Sequence, residues 1–144
     1  MSRLSLLSTA ALLVASLSCA VPSAGAADGP AGLYHLDVEA SLANLRAAGV
    51  NDPAAREMLE QVRNLMVLRF QGGTVTFLSG ADSNGKPTGS CQWRLDQDAV
   101  VLDRCQPAET GGAFGFNGQL SYDTGSDTVT MRGAADKPPI AFRK

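Results

Sequence analysis

Residues 91–105 have the sequence CQWRLDQDAVVLDRC, which is the pattern of a β-hairpin. Apolar and polar residues alternate on both sides of a two-residue loop at 97–98, as half-buried antiparallel strands require. The apolar pairs that this loop places opposite each other are Leu95 with Val100 and Trp93 with Leu102. All four side chains then lie on one face, so the hairpin presents one side to a core.

The two cysteines of this stretch predict a disulfide. The register of the hairpin places Cys91 opposite Arg104, one residue short of Cys105, so we expect a β-bulge to bring the cysteines together. Two cysteines that remain in an exported chain are typical of one disulfide. Closing a loop of about 15 residues is expected to stabilise the fold by roughly 3 kcal/mol.

The N-terminus has the pattern of an export signal over residues 1–26. Arg3 precedes the apolar run Leu4–Leu17, and Ala24-Gly25-Ala26 is a small-residue cleavage site. The alternative is a lipid anchor on Cys19, which follows Leu17-Ser18. We therefore expect a periplasmic or secreted protein without a transmembrane span, in which residues 27–31 are disordered and residues 32–144 form a single domain.

Two short helices are predicted after a first strand at 32–36. Asp37 suits a helix N-cap and Gly49 suits the residue after a helix. Asp52-Pro53 predicts the start of a second helix, with Asp as the N-cap. The apolar stripe expected on this second helix consists of Ala55, Met58, Leu59, Val62, Leu65 and Met66.

The remaining sequence has the two-residue period of strands. Gly72-Gly73 and Gly125-Ser126 each separate two alternating runs in consistent register, and Ile140–Phe142 forms a short last strand. The fold class is therefore mainly β with two short helices (α+β). We expect an antiparallel meander of about seven to eight strands, as a curled sheet or barrel, with the helix pair between the first two strands.

Composition excludes several classes of function. The chain has 12 Lys+Arg against 14 Asp+Glu, scattered singly, which disfavours nucleic acid as a partner. His35 is the single histidine, so neither a hydrolytic triad nor a metal site of several histidines is available. We expect no enzymatic activity, no cofactor and no metal site.

The large aromatic residues share one predicted orientation. Strand alternation places six of them on the inward face: Tyr34, Phe70, Phe77, Trp93, Tyr122 and Phe142. In a barrel of eight strands the interior is wide enough either to be filled by such side chains or to hold one small ligand. Both interpretations remain open, with packing favoured for short strands that carry this many large residues.

Two features resemble known families. Gly32-Leu33-Tyr34 is similar to the glycine–aromatic signature that opens calycin-type barrels, which include lipocalins and fatty-acid-binding proteins. The order of a strand, two helices and a meander, together with residues 45–51, resembles the fatty-acid-binding branch, in which the helix pair covers a lipid cavity. The Arg-x-Tyr of that branch is absent, because Phe142-Arg143 stands alone. The hairpins at 68–76 and 93–102 resemble small exported bacterial lipocalin-like proteins.

Two functions follow as hypotheses. The first is binding of a small apolar ligand under a helical lid. Its expected contact residues are Phe70, Phe77, Trp93, Tyr122 and Leu59. The second is an envelope-associated adaptor or inhibitor that binds a protein through the loops at 79–89 and 106–116. In either case we expect a monomer.

Overall fold

Eight antiparallel strands close into a barrel in chain order, and each pairs with the next along the sequence. The computed structural model describes residues 29–80, 85–109, 114–134 and 136–144. The strands are β1 (Gly32–Asp37), β2 (Val67–Gln71), β3 (Thr74–Ser79), β4 (Lys86–Asp96), β5 (Ala99–Pro107), β6 (Gln119–Asp123), β7 (Thr128–Arg132) and β8 (Ile140–Arg143). The helices α1 (Val38–Ala47) and α2 (Ala55–Val62) lie between β1 and β2, so the predicted fold class is confirmed. The predicted signal peptide and Cys19 lie outside the described residues.

Helix α1 begins and ends at the residues that the sequence indicated. The carboxylate of Asp37 accepts a hydrogen bond from the backbone N–H of Ala40 at 2.9 Å, which satisfies one of the free donors of the first turn. At the other end Gly49 has φ +80°. The N–H groups of Gly49 and Val50 bind the carbonyls of Arg46 and Leu45, a Schellman ending that needs this left-handed residue.

Helix α2 differs from its prediction in two ways. It begins at Ala55, because Pro53 and Ala54 form a turn. In this turn the side chain of Asp52 accepts a hydrogen bond from the N–H of Ala54, and the carbonyl of Asp52 accepts one from the N–H of Ala55. The predicted apolar stripe is only partly buried. Leu59 is 3% exposed, whereas Met58 is 55% exposed. The reason is that α2 packs mainly on α1, which covers one narrow face.

The predicted hairpin registers are confirmed. Trp93 lies opposite Leu102 in β4–β5, Phe70 opposite Val75 in β2–β3, and Tyr122 opposite Val129 in β6–β7. Inward-facing residues of all eight strands contribute to one core cluster, which also includes buried residues of both helices. Alternation along the strands was therefore sufficient to assign the inner face.

The predicted bulge joins the two cysteines. The β4–β5 register changes between Ser90 and Gln92, and Arg104 lies in the left-handed region at φ 48°. This extra residue lets Cys105 meet Cys91, and the two form a disulfide. The bond holds the C-terminal part of β5 against β4.

Strands β4 and β5 are longer than predicted. β4 begins at Lys86 and β5 ends at Pro107, so parts of both segments expected to be polar loops are paired strand. One of the polar residues in these segments, Gln106, pairs with Ser90 across the sheet. A polar sequence is compatible with an exposed strand whose partner supplies its backbone hydrogen bonds.

The barrel has two distinct ends. The helix end carries α1, α2 and the connections β3–β4, β5–β6 and β7–β8. The turn end carries the tight turns β2–β3, β4–β5 and β6–β7, together with the first residue of β1 and the last residue of β8. The weakest part of the wall is between β5 and β6, where the register comprises two residue pairs, Ala99 with Ser121 and Val100 with Leu120.

Loss of the disulfide gives the first testable prediction. Replacing Cys91 and Cys105 together by serine is expected to lower the free energy of unfolding by about 2–4 kcal/mol, because the unfolded chain regains the freedom of the loop. Urea denaturation followed by the fluorescence of Trp93 measures this loss. Two thiols that react with an alkylating agent in the unfolded, unreduced protein would contradict the bond.

Candidate functional site

Three aromatic rings pack in series across the barrel interior. The ring centroids of Tyr34 and Phe70 lie 5.6 Å apart, and those of Phe70 and Trp93 lie 5.5 Å apart, both edge to face. Tyr34 and Phe70 are almost completely buried, and Trp93 is half-buried. Edge-to-face contact at this spacing is the arrangement of a packed aromatic core. The indole Nε1 of Trp93 is buried and has no hydrogen-bond partner among the residues that the structure describes.

Two phenols close the turn end of the barrel on a single carboxylate. The hydroxyls of Tyr34 and Tyr122 both donate to Oδ1 of Asp127, at 2.5 Å and 3.0 Å. Nζ of Lys144 lies 2.7 Å from Oδ2 of Asp127 and 5.4 Å from the centroid of the Tyr34 ring. The lysine therefore neutralises the carboxylate and also contacts an aromatic face.

The protonation equilibria of this cluster are shifted in opposite directions. Burial, and then the hydrogen bond to Asp127, raise the pKa of Tyr34 and of Tyr122. Hydrogen bonds from Lys144 and then from Tyr34 lower the pKa of Asp127. The neutral phenols and the charged carboxylate stabilise each other, so we interpret the cluster as a structural closure of the turn end.

Phe77 belongs to a separate aromatic cluster at the helix end. Its ring centroid lies 5.1 Å from that of Phe114 and 5.1 Å from that of Phe116, and both pairs are tilted. Phe114 and Phe116 belong to the β5–β6 connection, and each is half-buried against the core. Both belong to the segment 106–116 that was expected to bind a protein, and the part of each ring that packs on Phe77 is not available to a partner.

A small apolar pocket opens beside this cluster, and we call it the helix-end pocket. Its volume is about 190 Å³. Its wall consists of Leu65, Met66, Phe77, Leu78, Thr88, Phe114, Gly115, Phe116 and Met131. Leu65 stands at the rim with 61% of its surface exposed. Because none of the described residues in its wall is charged, the pocket suits an uncharged apolar group.

The five residues predicted to bind a ligand all belong to the core cluster or pack against it, but they lie at different places in the barrel. Phe70 and Trp93 contact each other in the interior, Tyr122 lies at the turn end, and Phe77 alone lines the helix-end pocket. Leu59 is buried with the core cluster on α2, outside the lining of this pocket. Whether any of the five binds a ligand stays a prediction.

Most of the pocket wall was missed from the sequence. Leu65 and Met66 were assigned to the apolar stripe of the second helix, and Met131 was not singled out. Gly115 lies between Phe114 and Phe116, and Gly118 follows two residues later. A β-carbon built on Gly118 would lie 2.7 Å from the Phe116 ring. An aromatic residue beside a glycine in a loop was the available signal of a ring that folds back on the backbone.

A wider groove of about 540 Å³ lies on the wall where β5 diverges from β6. Outward-facing Val101 and Thr130 line it together with Leu102 and Phe116, and Arg132 stands at one side. From Val101 onward β5 remains paired with β4 but is no longer paired with β6. This edge of β5 therefore faces a groove of mixed polar and apolar character.

Comparison with protein-family models, with curated proteins and with solved structures gave no match for this chain. The closed eight-stranded antiparallel barrel with two helices is compatible with a calycin-like fold. Membership of that superfamily stays a prediction. Within the described residues, neither helix has the length and hydropathy that a membrane span requires.

Proposed function

We propose that the protein is an exported, non-enzymatic barrel that binds the apolar part of a small ligand in the helix-end pocket. The observation that carries the proposal is an apolar pocket of about 190 Å³ with an exposed leucine, Leu65, at its rim. A well-formed pocket lined mainly by apolar and aromatic side chains is typical of a small-molecule site. The predicted export signal and the Cys91–Cys105 disulfide support an oxidising compartment outside the cytoplasm.

The dimensions of the pocket limit the ligand. An apolar cavity of about 150 Å³ is known to hold one benzene molecule, so about 190 Å³ suits one aromatic ring or a short hydrocarbon chain. The wall contributes thioethers from Met66 and Met131, which adapt to ligands of irregular shape. A charged group on the ligand would have to remain in solvent outside the pocket, beyond Leu65 at the rim.

The packed interior supports this location over a cavity at the centre of the barrel. Tyr34, Phe70 and Trp93 contact one another there, and such contacts would have to break before a ligand could enter. The helix-end pocket requires no such rearrangement. We therefore place the binding function at Phe77 and not at the other predicted aromatic residues.

Methionine NMR tests the proposal with a control inside the same molecule. The chain has four methionines, of which Met66 and Met131 line the pocket and Met58 is exposed on α2. With ¹³C-labelled methionine methyl groups, toluene is expected to shift Met66 and Met131 in a saturable manner and to leave Met58 in place. Equal small shifts at all three, or none, would contradict binding in the pocket.

A pair of matched variants tests the rim. Leu65→Glu places a carboxylate at the pocket entrance and is expected to weaken toluene binding about tenfold, or roughly 1.4 kcal/mol. Met58→Glu is the control, because Met58 is similarly exposed but does not line the pocket. Equal affinities for the two variants would show that the ligand enters elsewhere.

The second candidate function is protein binding, and the groove beside β5 favours it. An extended peptide could add to the edge of β5 beyond Val100, since main-chain pairing and a mixed lining are what strand addition uses. The loops at 79–89 and 106–116 flank β4 and β5, but residues 81–84 and 110–113 lie outside the described part of the chain. Failure of all apolar ligands in the methionine experiment would favour this function.

A further inference from the structure

A glycine in β4 makes room for one ring of the helix-end pocket. A β-carbon built on Gly89 would lie 2.3, 2.4 and 2.6 Å from Cγ, Cδ2 and Cδ1 of Phe114. Real β-carbons essentially never approach other atoms so closely, so the ring occupies the space that any side chain at position 89 would need. Gly89 is buried and paired within the sheet, so its strand cannot move aside easily. We call this space the Gly89 notch.

The ring that fills the notch is held mainly by side-chain contacts. Phe114 is half-buried and meets Phe77 at 5.1 Å between centroids. Among the described residues, no backbone hydrogen bond joins positions 114–118 to another segment, and β6 begins only at Gln119. Withdrawal of the ring would therefore break an aromatic contact without breaking a ladder of backbone hydrogen bonds.

We propose that the Gly89 notch is an aromatic subsite of the helix-end pocket, and that Phe114 occupies it in place of a ring of the ligand. This inference rests on the proposed function and narrows it to one ligand class, an uncharged aromatic molecule of two fused rings. One ring takes the pocket beside Met66 and Met131, and the second displaces Phe114 from the notch. The chain thereby limits access to its own site.

The chemistry of the combined space matches that class. Phe77 offers an aromatic wall common to the pocket and the notch, and thioether sulfurs pack well at ring edges. Adding the space of one benzyl group to about 190 Å³ brings the site to roughly 300 Å³, the lower end of the range for small-molecule sites. The glycine is essential, since a methyl group at position 89 would take the position of the second ring.

The experiment compares naphthalene binding in three proteins by titration of the intrinsic fluorescence and of the methionine methyl shifts. Phe114→Ala empties the notch and is expected to bind naphthalene about tenfold more tightly than the unmodified protein. The double variant Phe114→Ala with Gly89→Ala fills the notch with a methyl group and is expected to lose that gain. Phe114→Val serves in the same role if Phe114→Ala does not fold cooperatively.

The Hα resonances of Gly89 report where the second ring lies. Because the Phe114 ring lies against Gly89, we expect a strong ring-current shift of these resonances in the unmodified protein. This shift is expected to disappear in Phe114→Ala and to return when naphthalene is added. Unchanged or weaker naphthalene affinity in Phe114→Ala, or a Gly89 shift that does not return, would overturn the subsite. Toluene shifts at Met66 and Met131 in the unmodified protein would in that case leave the proposed function standing, and their absence would remove both.

Discussion

Phe70→Ala is expected to lower the free energy of unfolding by about 3–5 kcal/mol, a large part of the roughly 5–15 kcal/mol that stabilises a typical domain. Phe70 is 2% exposed and is the middle ring of the interior series, in contact with Tyr34 and Trp93. Its removal loses the transfer energy of a benzyl group and leaves a cavity that the closed sheet around it cannot collapse to fill. Urea denaturation monitored by the single tryptophan, Trp93, measures the change.

Leu65→Ala is the control for this prediction. Leu65 is also a large apolar residue, but with 61% exposure its truncation is expected to change the stability by no more than about 0.5 kcal/mol. A similar loss for Phe70→Ala and Leu65→Ala would contradict the packed interior. It would then favour an open cavity that tolerates truncation of its lining.

Ionisation of the two tyrosines is expected to occur only together with unfolding. Tyr34 and Tyr122 are the only tyrosines of the chain, and the pKa of each is raised by burial and by Asp127. In the unfolded chain their pKa is about 10, so above that pH the unfolded state releases protons that the folded state retains. The stabilising effect of the cluster is therefore complete below pH 10 and is lost as the pH rises further.

Absorbance at 295 nm tests this prediction directly, since it records phenolate formation. We expect no phenolate signal at pH 10–11 in the folded protein, followed by a steep rise that coincides with the loss of far-ultraviolet circular dichroism. A gradual titration near pH 10 in protein that remains folded would show that the phenols are accessible and would contradict the cluster. Lowering the pH has the converse effect on Asp127, whose stabilising contribution is lost as its depressed pKa is approached.

Substitution of Asp127 separates its two contributions. Asp127→Ala leaves two phenols near the turn end without their acceptor, and each such donor costs about 1–3 kcal/mol. It also places alanine at φ 47°, which asparagine tolerates better. Asp127→Asn retains an acceptor oxygen and the left-handed conformation, so we expect it to cost clearly less than Asp127→Ala in thermal unfolding. Equal losses would show that the charge, and not the hydrogen bonds, stabilises the cluster.

The architecture of the barrel could be predicted from the sequence because its information is local. Alternation with a period of two assigns each strand its inner face, and a two-residue loop sets the register of its hairpin. The position of the cysteines in that register even predicted the bulge, which the left-handed Arg104 provides. Helix α1 was predictable for the same reason, since Asp37 and Gly49 mark its ends by local hydrogen bonds.

The candidate site was only partly predictable because its residues meet through the closure of the barrel. The predicted inward orientation is correct for Phe70, Phe77 and Trp93. Strand alternation does not indicate, however, whether an inward side chain lies in the middle of the barrel or at one of its ends. Phe77 lies on β3, 15 residues after the end of α2, and only closure of the barrel brings Phe114 and Met131 to it. Met58 was expected to be buried and is exposed. The helical period of α2 predicts an apolar stripe, but which part of that stripe is covered depends on how α2 packs on α1.

The sequence by itself determined which residues form strands, how adjacent strands pair and where the disulfide lies, since these depend on contacts between neighbours along the chain. The tertiary structure alone decided that Tyr34 and Tyr122 share Asp127 and that Phe114 fills the space at Gly89. Tyr34 lies 93 residues from Asp127, and the Phe114 ring meets the backbone of a strand that does not neighbour it in sequence, at the other end of the barrel. Their positions follow from strand stagger and closure, which are properties of the whole sheet and not of any one hairpin.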